Sequence, residues 1–247
     1  MDEDSEENER WPSSAAVFGA SGGIGAALAL ALAERGARVT AGSRSGSAPR
    51  HKRVRGFSFD LDDEDSIAAA AQTLSDDLPQ LVIVATGVLT LADGTGPERS
   101  YRRLDGEAMM RVLRLNTVGP ALVAKHVLPL FARDERCVFA ALSARVGSIG
   151  DNRLGGWHSY RASKAALNML LKNFAIELGR THKQAIICGL HPGTVDTALS
   201  EPFQGNVPDG KLFSPQRSAG HLLDVIDGLG PDDSGGVFDW AGERVPD

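Results

Sequence analysis

FGASGGIGAAL, at residues 18–28, joins an apolar segment to an alanine- and leucine-rich one and contains four glycines. These glycines stand at positions 19, 22, 23 and 25, in the spacing G-x-x-x-G-x-G. A glycine-rich turn between a strand and a helix lets the backbone approach a phosphate, and the amides at the helix N-terminus attract its charge. The alternative is a glycine-rich turn that binds nothing. The stretch favours a phosphate-binding turn that follows a first strand and opens a first helix.

Short apolar segments recur along the chain, with helix-forming stretches between them. They show no polar alternation, which is typical of parallel strands covered on both faces. The seven predicted strands lie in residues 15–20, 37–42, 54–59, 81–86, 137–142, 185–190 and 236–240. Strands that alternate with helices indicate a single-domain α/β fold of the Rossmann type, a doubly wound, seven-stranded parallel sheet with helices on both faces.

The charges of the chain are unevenly distributed. Its 247 residues carry a net charge of −6, yet the first nine residues alone contain six acids and no base. Because such a segment has little apolar area to bury, residues 1–12 are predicted to be a disordered acidic leader. Residues 13–247 are predicted to form one dinucleotide-binding domain, which includes a mobile substrate-binding loop at about 196–213.

Several classes of protein do not fit this sequence. The N-terminus lacks the basic start and apolar run of a secretory signal, and no apolar run is long enough to span a membrane. No basic patch interleaved with aromatic residues indicates nucleic acid as a partner. The two cysteines, Cys137 and Cys188, lack metal-ligand spacing and lie in apolar runs, so we expect free thiols, no metal site and a cytoplasmic location.

A tyrosine and a lysine stand four residues apart in the segment SYRASKAAL, residues 159–167. In a helix, Tyr160 and Lys164 would share one face. A neighbouring ammonium lowers the pKa of a phenol, so the pair could act as a general acid or base near neutral pH. The alternative is a surface lysine packed on a tyrosine ring.

Taken together, the glycine turn after strand one, a serine after strand five and Tyr-x-x-x-Lys on the next helix resemble the classical short-chain dehydrogenase/reductase family. The resemblance covers residues 15 to about 242. The segments HPGTVDTALSEPFQ, from residue 191, and GVFDWAGERVP, from residue 236, are most similar to the branch of bacterial C-factor and the Sniffer-type carbonyl reductases. The resemblance implies hydride transfer between a nicotinamide and a carbonyl or alcohol substrate.

The resemblance also implies roles for four residues. Tyr160 is implied as the acid/base, and Lys164 as the residue that lowers its pKa and binds the nicotinamide ribose. Ser143 matches the serine that binds the substrate oxygen. Asn116 matches the asparagine that distorts its helix and holds a water in a proton relay to the lysine.

The cofactor is predicted to be NADP(H) in preference to NAD(H). An acid after the second strand would bind the ribose diol of NAD, but Ser43 and Arg44 stand there, and a guanidinium suits a phosphate. Within the family pattern, Asp60 matches the residue that contacts adenine. The full set of implied cofactor contacts is Gly19, Ser21, Gly23, Ile24, Gly25, Ser43, Arg44, Asp60, Leu61, Ala85, Thr86, Gly87, Tyr160, Lys164, Pro192, Gly193, Thr194 and Val195.

Two stretches depart from the family pattern. Phe18-Gly19 stands where Thr-Gly is usual, and VATG at 84–87 replaces Asn-Asn-Ala-Gly. The second change puts local rigidity in doubt rather than the chemistry. It also keeps a second hypothesis open, a dinucleotide-binding sensor or signalling protein with little turnover. A methyltransferase would share the glycine turn but would not need the Ser, Tyr and Lys set.

The sequence says little about the substrate beyond a small carbonyl or alcohol compound. Pocket walls are expected from Arg145, Val146, Trp157, His158 and the segment 198–213, which contains Phe203 and Phe213. His191, before a proline, is either a ligand or, more often in such turns, structural. Apolar residues at 106–131 and on the Tyr160 helix exceed what the sheet can cover, so a homodimer or homotetramer is expected.

Overall fold

Seven parallel strands form the central sheet of the computed structural model, which describes residues 11–206, 208 and 210–247. The nine strands are β1 (Ser14–Phe18), β2 (Arg38–Ser43), β3 (Val54–Ser58), β4 (Leu81–Val84), β5 (Val138–Leu142), β6 (Ile186–His191), β7 (Thr194–Val195), β8 (Leu212–Phe213) and β9 (Val237–Asp239). The sheet has the order β3-β2-β1-β4-β5-β6-β9, and β7 and β8 form a separate parallel pair. All seven predicted strands are confirmed.

In the described residues, six α-helices surround the sheet, and their ends follow local sequence signals. They are α1 (Gly23–Glu34), α2 (Glu64–Thr73), α3 (Gly106–Leu113), α4 (Gly119–Val127), α5 (His158–Leu178) and α6 (Pro215–Gly228). The Asp63 carboxylate caps α2 by accepting the Asp65 and Ser66 N–H groups. Ser214 caps α6, and Pro215 occupies its first position. A π-helical segment, Arg114–Val118, joins α3 to α4.

The core consists of two apolar layers, one on each face of the sheet. Successive side chains of a strand point to opposite faces. Accordingly, Val17 of β1 packs in the layer that contains Leu28 of α1 and Leu222 of α6. Its neighbour Phe18 packs in the layer that contains side chains of α2, α4 and α5. The predicted fold class is therefore confirmed.

The folded domain begins earlier than the sequence indicated. Trp11 packs against the core, its indole N–H donates to the Arg136 carbonyl at 3.0 Å, and the Arg136 guanidinium lies 3.8 Å from the centre of the indole ring. Pro12 is buried. The prediction that the leader extends to residue 12 is wrong, because the apolar area of Trp11 stabilises docking despite the acidic run before it. Residues 1–10 lie outside the described residues, so their disorder stays a prediction.

The order of the strands creates a crevice at one end of the sheet. Chain order reverses between β1 and β4, which is the position where doubly wound sheets bind ligands beyond the carboxyl ends of their strands. The glycine turn, the segment after β4 and the turn after β6 all follow such strand ends. None of the helices in the described part of the chain is long and apolar enough to cross a membrane.

Candidate active site

The glycine turn between β1 and α1 is shaped by close backbone packing. A Cβ at Gly25 would lie 2.1 Å from the Gly19 carbonyl oxygen, and one at Gly19, where φ is +98°, would lie 2.8 Å from Cγ2 of Thr86. No side chain caps α1, and its first turn contains no acidic residue. The Thr86 hydroxyl is buried and has no hydrogen-bond partner in the residues the structure describes. Free amides, close backbone approach and an orphaned hydroxyl fit a bound dinucleotide phosphate.

The structure brings the predicted cofactor segments together. The N–H groups of Gly19 and Ala20 donate to the Gly42 carbonyl at 2.9 and 2.8 Å, which ties the glycine turn to the end of β2. Ile24 lines the same cavity as residues 192–195. A Cβ at Gly23 would lie 3.3 Å from Thr197, a residue that the sequence interpretation missed. Thr197 had no signal of its own, because its approach depends on how the loop after β7 folds back.

The end of β2 only partly matches its predicted role. Ser43 is buried and its hydroxyl donates to the Ser47 carbonyl at 2.7 Å, so it is committed to its own loop rather than offered to a phosphate as expected. Arg44 is exposed and forms no side-chain hydrogen bond or ion pair within residues 11–206, 208 and 210–247. Asp60 is exposed and accepts the Asp62 N–H at 3.0 Å, and Leu61 is buried. Arg44, which has no partner among the described residues, is thus free to bind a ligand.

Asn116 lies fully buried in the π-helical segment between α3 and α4. Its Oδ1 accepts the Val88 N–H at 2.8 Å, and its Nδ2 donates to the Val88 carbonyl at 2.9 Å and to Ser163 Oγ at 3.1 Å. A Cβ at Gly87 would lie 3.3 Å from Asn116 Oδ1 and 3.4 Å from Lys164 Nζ. The distorted helix therefore holds Asn116 between the segment after β4 and the helix that carries Lys164.

Tyr160 and Lys164 share one face of α5, as predicted. Lys164 is buried; its Nζ donates to the Leu142 carbonyl at 2.7 Å and lies 5.9 Å from the centre of the Tyr160 ring. Burial lowers the pKa of Lys164 to about 8 and raises the pKa of Tyr160 to about 12. The pKa of Tyr160 is thus not lowered as expected, because the loss of hydration destabilises the phenolate more than the Lys164 ammonium stabilises it. Tyr160 keeps some exposure on the side that faces the cavity.

Ser143 has a different partner from the one that the resemblance implies. Its side chain is 4% exposed, and its hydroxyl donates to Oδ1 of Asn168 on α5 at 2.6 Å. Ser143 and the following residue, Ala144, both line the main cavity. Asn168 gave no signal in the sequence, because one polar side chain on a long amphipathic helix is usually a surface residue. In this structure the Ser143 hydroxyl thus donates its proton to α5.

The main cavity has a volume of about 630 Å³ and opens beside Tyr160. Its walls include the expected Arg145, Val146, Trp157 and Phe203. His158 was also expected there but does not contribute to the lining, because as the first residue of α5 it lies beyond the turn that aims Trp157 inward. The expected segment 198–213 also contributes Leu199, whereas the sequence interpretation did not name Leu89, Asp151, Arg153, Leu154 and Arg161.

Two aromatic residues assigned to the pocket have different roles. Phe213 is 2% exposed and packs under Gly193 and against Trp240, so it supports the turn after β6 rather than forming a wall. Trp157 has a positive φ of 50°, which is uncommon for a residue with a large side chain. Its ring lies 5.2 Å from that of Phe203 and 6.2 Å from that of Tyr160. The left-handed backbone at the start of α5 thus aims an aromatic wall at the tyrosine.

His191 lies on the wall of the main cavity at the end of β6. Its Nδ1 is buried and lacks a hydrogen-bond partner among the residues described, and burial lowers the pKa of its imidazole to about 4. His191 is therefore neutral near pH 7. No group of three His, Cys, Asp or Glu side chains in the described ranges could hold a metal ion.

Comparisons with known proteins identify the family of the chain. The sequence profile of the short chain dehydrogenase family matches residues 13–207. The chain is 33% identical over 225 residues to 1-hydroxy-2-glutathionyl-2-methyl-3-butene dehydrogenase of Rhodococcus sp. (strain AD45). This match covers 89% of the chain and 92% of the relative. It is 36% identical over 143 residues to C-signal of Myxococcus xanthus, which covers 58% of the chain and 81% of the relative.

Solved structures show the same fold. The NADPH-bound carbonyl reductase from chicken fatty liver superposes with a TM-score of 0.80 at 25% identity, over 95% of this chain and 94% of that one. Carbonyl reductase Sniffer of D. melanogaster superposes with a TM-score of 0.81 at 22% identity, over 95% and 99%. The predicted resemblance to the family is confirmed. The chain belongs to the short-chain dehydrogenase family, oxidoreductases that bind a nicotinamide dinucleotide and act on alcohol or carbonyl groups.

Proposed function

We propose that the chain is an NADP(H)-dependent oxidoreductase that interconverts a carbonyl compound and its alcohol, with Asn116, Ser143, Tyr160 and Lys164 as the active residues. The observation that carries the proposal is that Tyr160 lies on the wall of the main cavity, while Lys164 on the same helix face reaches Gly87 beside the glycine turn. Tyr160 is thus suited to contact a reacting oxygen in the cavity, and Lys164 is suited to contact the cofactor.

Each side chain has a distinct part in the proposed reaction. The bound dinucleotide supplies or accepts the hydride. Tyr160 holds a proton at neutral pH, because burial raises its pKa, and can donate this proton to a carbonyl oxygen as charge develops there. Lys164 is positioned by the Leu142 carbonyl and can bind the ribose, and Asn116 fixes the segment beside it. Ser143 can stabilise the alkoxide only after its hydroxyl leaves Asn168, so we assign the principal stabilisation to Tyr160.

The proposed preference for NADP(H) rests on Arg44. Its guanidinium is exposed directly after β2, and the Gly42 carbonyl of this same strand accepts the N–H groups of the glycine turn. An unpaired guanidinium can bind a 2′-phosphate through two parallel hydrogen bonds. The chicken carbonyl reductase of the same fold was solved with NADPH bound, which supports this choice.

The proposed activity is tested by following NADPH oxidation across a panel of aldehydes, ketones and quinones. Replacing Tyr160→Phe removes the proton donor, so we expect kcat to fall about 10²-fold or more while the Kd for NADPH is unchanged. Tyr101→Phe is the matched control, because Tyr101 is the other tyrosine of the chain and is 66% exposed. A Tyr160→Phe protein that keeps more than about a tenth of the wild-type kcat would exclude the proposed mechanism.

A second candidate function is a dinucleotide-binding sensor or signalling protein with little turnover. Two observations favour it: the Ser143 hydroxyl is already bound to Asn168, and one relative is named C-signal. The same assay separates the two functions. Tight NADPH binding without oxidation of any substrate in the panel would favour the sensor.

We also propose that the protein is a homodimer or homotetramer. Met110 of α3, Val118 of the π-helical segment, and Met169 and Ile176 of α5 are large apolar side chains that are 38% to 63% exposed. A symmetric contact between two copies would bury them. Light scattering at micromolar concentration should give at least twice the monomer mass, and Met169→Glu should lower that mass. A wild-type protein that scatters as a monomer would exclude the proposal.

A further inference from the structure

A second cavity adjoins the main one and shares part of its wall. It has a volume of about 400 Å³ and lies between the segment after β4, the start of α3 and the start of α5. Leu89, Tyr160 and Phe203 line both cavities. A reacting carbon held at Tyr160 would therefore have space for one substituent in each cavity. This geometry fits a substrate with two sizeable arms on either side of the carbonyl.

The acidic residues of the second cavity are already engaged by the backbone. Glu98 accepts both the N–H group of Ser159, at 3.1 Å, and the Ser159 hydroxyl at the start of α5. Asp105 caps α3 by accepting the Ala108 N–H at 2.8 Å. The positive ends of these two helices stabilise the two carboxylates. Neither carboxylate forms an ion pair with an arginine in the described chain.

The basic residues of the second cavity are in the opposite state. Arg99 and Arg103 line it, both are exposed, and neither side chain has a hydrogen bond or ion pair with any residue that the structure describes. Their neighbour Arg102 does not line the cavity; its guanidinium lies 5.7 Å from the centre of the Tyr101 ring. Two unpaired guanidinium groups at the rim of this cavity, whose carboxylates are already bound at the helix starts, are suited to a carboxylate.

We propose that the substrate is a ketone or secondary alcohol with an anionic, carboxylate-type arm, which occupies the second cavity and binds Arg99 and Arg103. The other arm is apolar and occupies the main cavity, against Trp157 and Phe203. This inference rests on the proposed oxidoreductase function and specifies its substrate class. The arginines act on binding alone, because the proton transfer remains with Tyr160.

A pair of probes that share one carbon skeleton and differ in the charge of one arm tests the inference. We use 5-oxo-5-phenylpentanoate and its methyl ester, with NADPH, and compare kcat/KM for the two. We expect the wild-type protein to prefer the acid by about tenfold or more, mainly through KM, and the preference to shrink as salt is added. The Arg99→Gln, Arg103→Gln double variant should lower kcat/KM for the acid by about 30-fold and leave the ester within about twofold. Arg102→Gln is the matched control and should change neither.

The possible results separate this inference from the proposed function. Turnover of both probes without a preference for the acid, or an equal loss in Arg102→Gln, would overturn the anion site but leave the oxidoreductase intact. If neither probe is turned over, calorimetric titration of the acid into the NADPH-bound protein decides the inference independently. Binding of the acid that the double variant loses would support the site; no binding, or unchanged binding in the double variant, would overturn it.

Discussion

The two regions on either side of Tyr160 differ in what shapes them: backbone on the proposed cofactor side and side chains on the proposed substrate side. The cofactor side consists of short turns that directly follow strands β1, β4 and β6, and its shape is set by backbone, as the glycines at 19 and 25 show. The proposed substrate side consists mainly of side chains from three distant segments, at residues 89–112, 143–161 and 191–203. A backbone-built site accepts one ligand class, because few residues can replace glycine there. A site built from loop side chains can change its ligand by substitution alone.

The first prediction tests whether the cofactor side also contains a selective side chain. Arg44→Asp removes a charge-assisted contact and adds repulsion toward the 2′-phosphate, so we expect NADPH binding to weaken by about 2 to 4 kcal/mol, or about 30- to 1,000-fold in Kd. NADH binding should change far less. Calorimetric titration of both cofactors measures the difference.

Arg180→Asp is the control for this comparison, because Arg180 is exposed just beyond the far end of α5 and the change in net charge is the same. Its affinities for NADPH and NADH should match those of the wild type. If Arg44→Asp weakened both cofactors equally, Arg44 would have no role in selecting the phosphate, and selection would have to come from the backbone.

The second prediction concerns Lys164, which lies between the two sides. The buried ammonium destabilises the fold, so Lys164→Met should abolish turnover yet raise the free energy of unfolding near neutral pH by about 1 to 3 kcal/mol. The gain is limited because the Leu142 carbonyl loses its donor. Urea denaturation of both proteins measures the difference. Lys172→Met, at an exposed position on the same helix, should stay within about 0.5 kcal/mol of wild type.

The sign of the pH dependence follows from the lowered pKa of Lys164. Below about pH 8 the folded protein keeps the buried charge, and the penalty is fully present. As pH rises from about 8 toward 10.5, the folded protein loses a proton that the unfolded chain still binds, so wild-type stability rises relative to the variant. The gap between the two proteins should therefore close. A gap that stays constant with pH would show that Lys164 remains charged in the fold.

The backbone-built side was largely predictable from the sequence. The apolar runs predicted all seven strands of the central sheet. The spacing of the glycines predicted the turn between β1 and α1. The bond between the Ser43 hydroxyl and the Ser47 carbonyl was not predicted, because a pattern of residues does not reveal that a hydroxyl will bond within its own loop. The prediction for residues 11 and 12 was wrong because it considered the charge of the N-terminal segment and not the apolar area that the Trp11 indole buries.

The side-chain-built side was much less predictable, because its contacts join residues far apart in the chain. The bond between Ser143 and Asn168 depends on how α5 packs on β5, and the second cavity depends on how the segment 89–105 folds over the start of α5. The pKa of Tyr160 also depended on packing, since burial outweighed the neighbouring ammonium that the spacing predicts. The spacing of residues in the sequence predicts which of them share a helix face, but the packing of the elements determines which atoms they contact.

The last prediction, with the smallest expected effect, addresses Ser143. Because its hydroxyl donates to Asn168, Ser143→Ala should lower kcat by about tenfold or less, as for one neutral hydrogen bond, and should destabilise the fold by about 1 to 3 kcal/mol through the unsatisfied amide. If the hydroxyl instead stabilised the alkoxide, its loss would lower kcat by about 10²- to 10³-fold. The double-mutant cycle with Asn168→Ala distinguishes these cases. Coupling in stability but not in kcat would place the hydroxyl with the helix. If Ser143→Ala alone slowed turnover by about 10²-fold or more, the amide of Asn168 would have to turn away in the complex, and the substrate side would complete its site only when occupied.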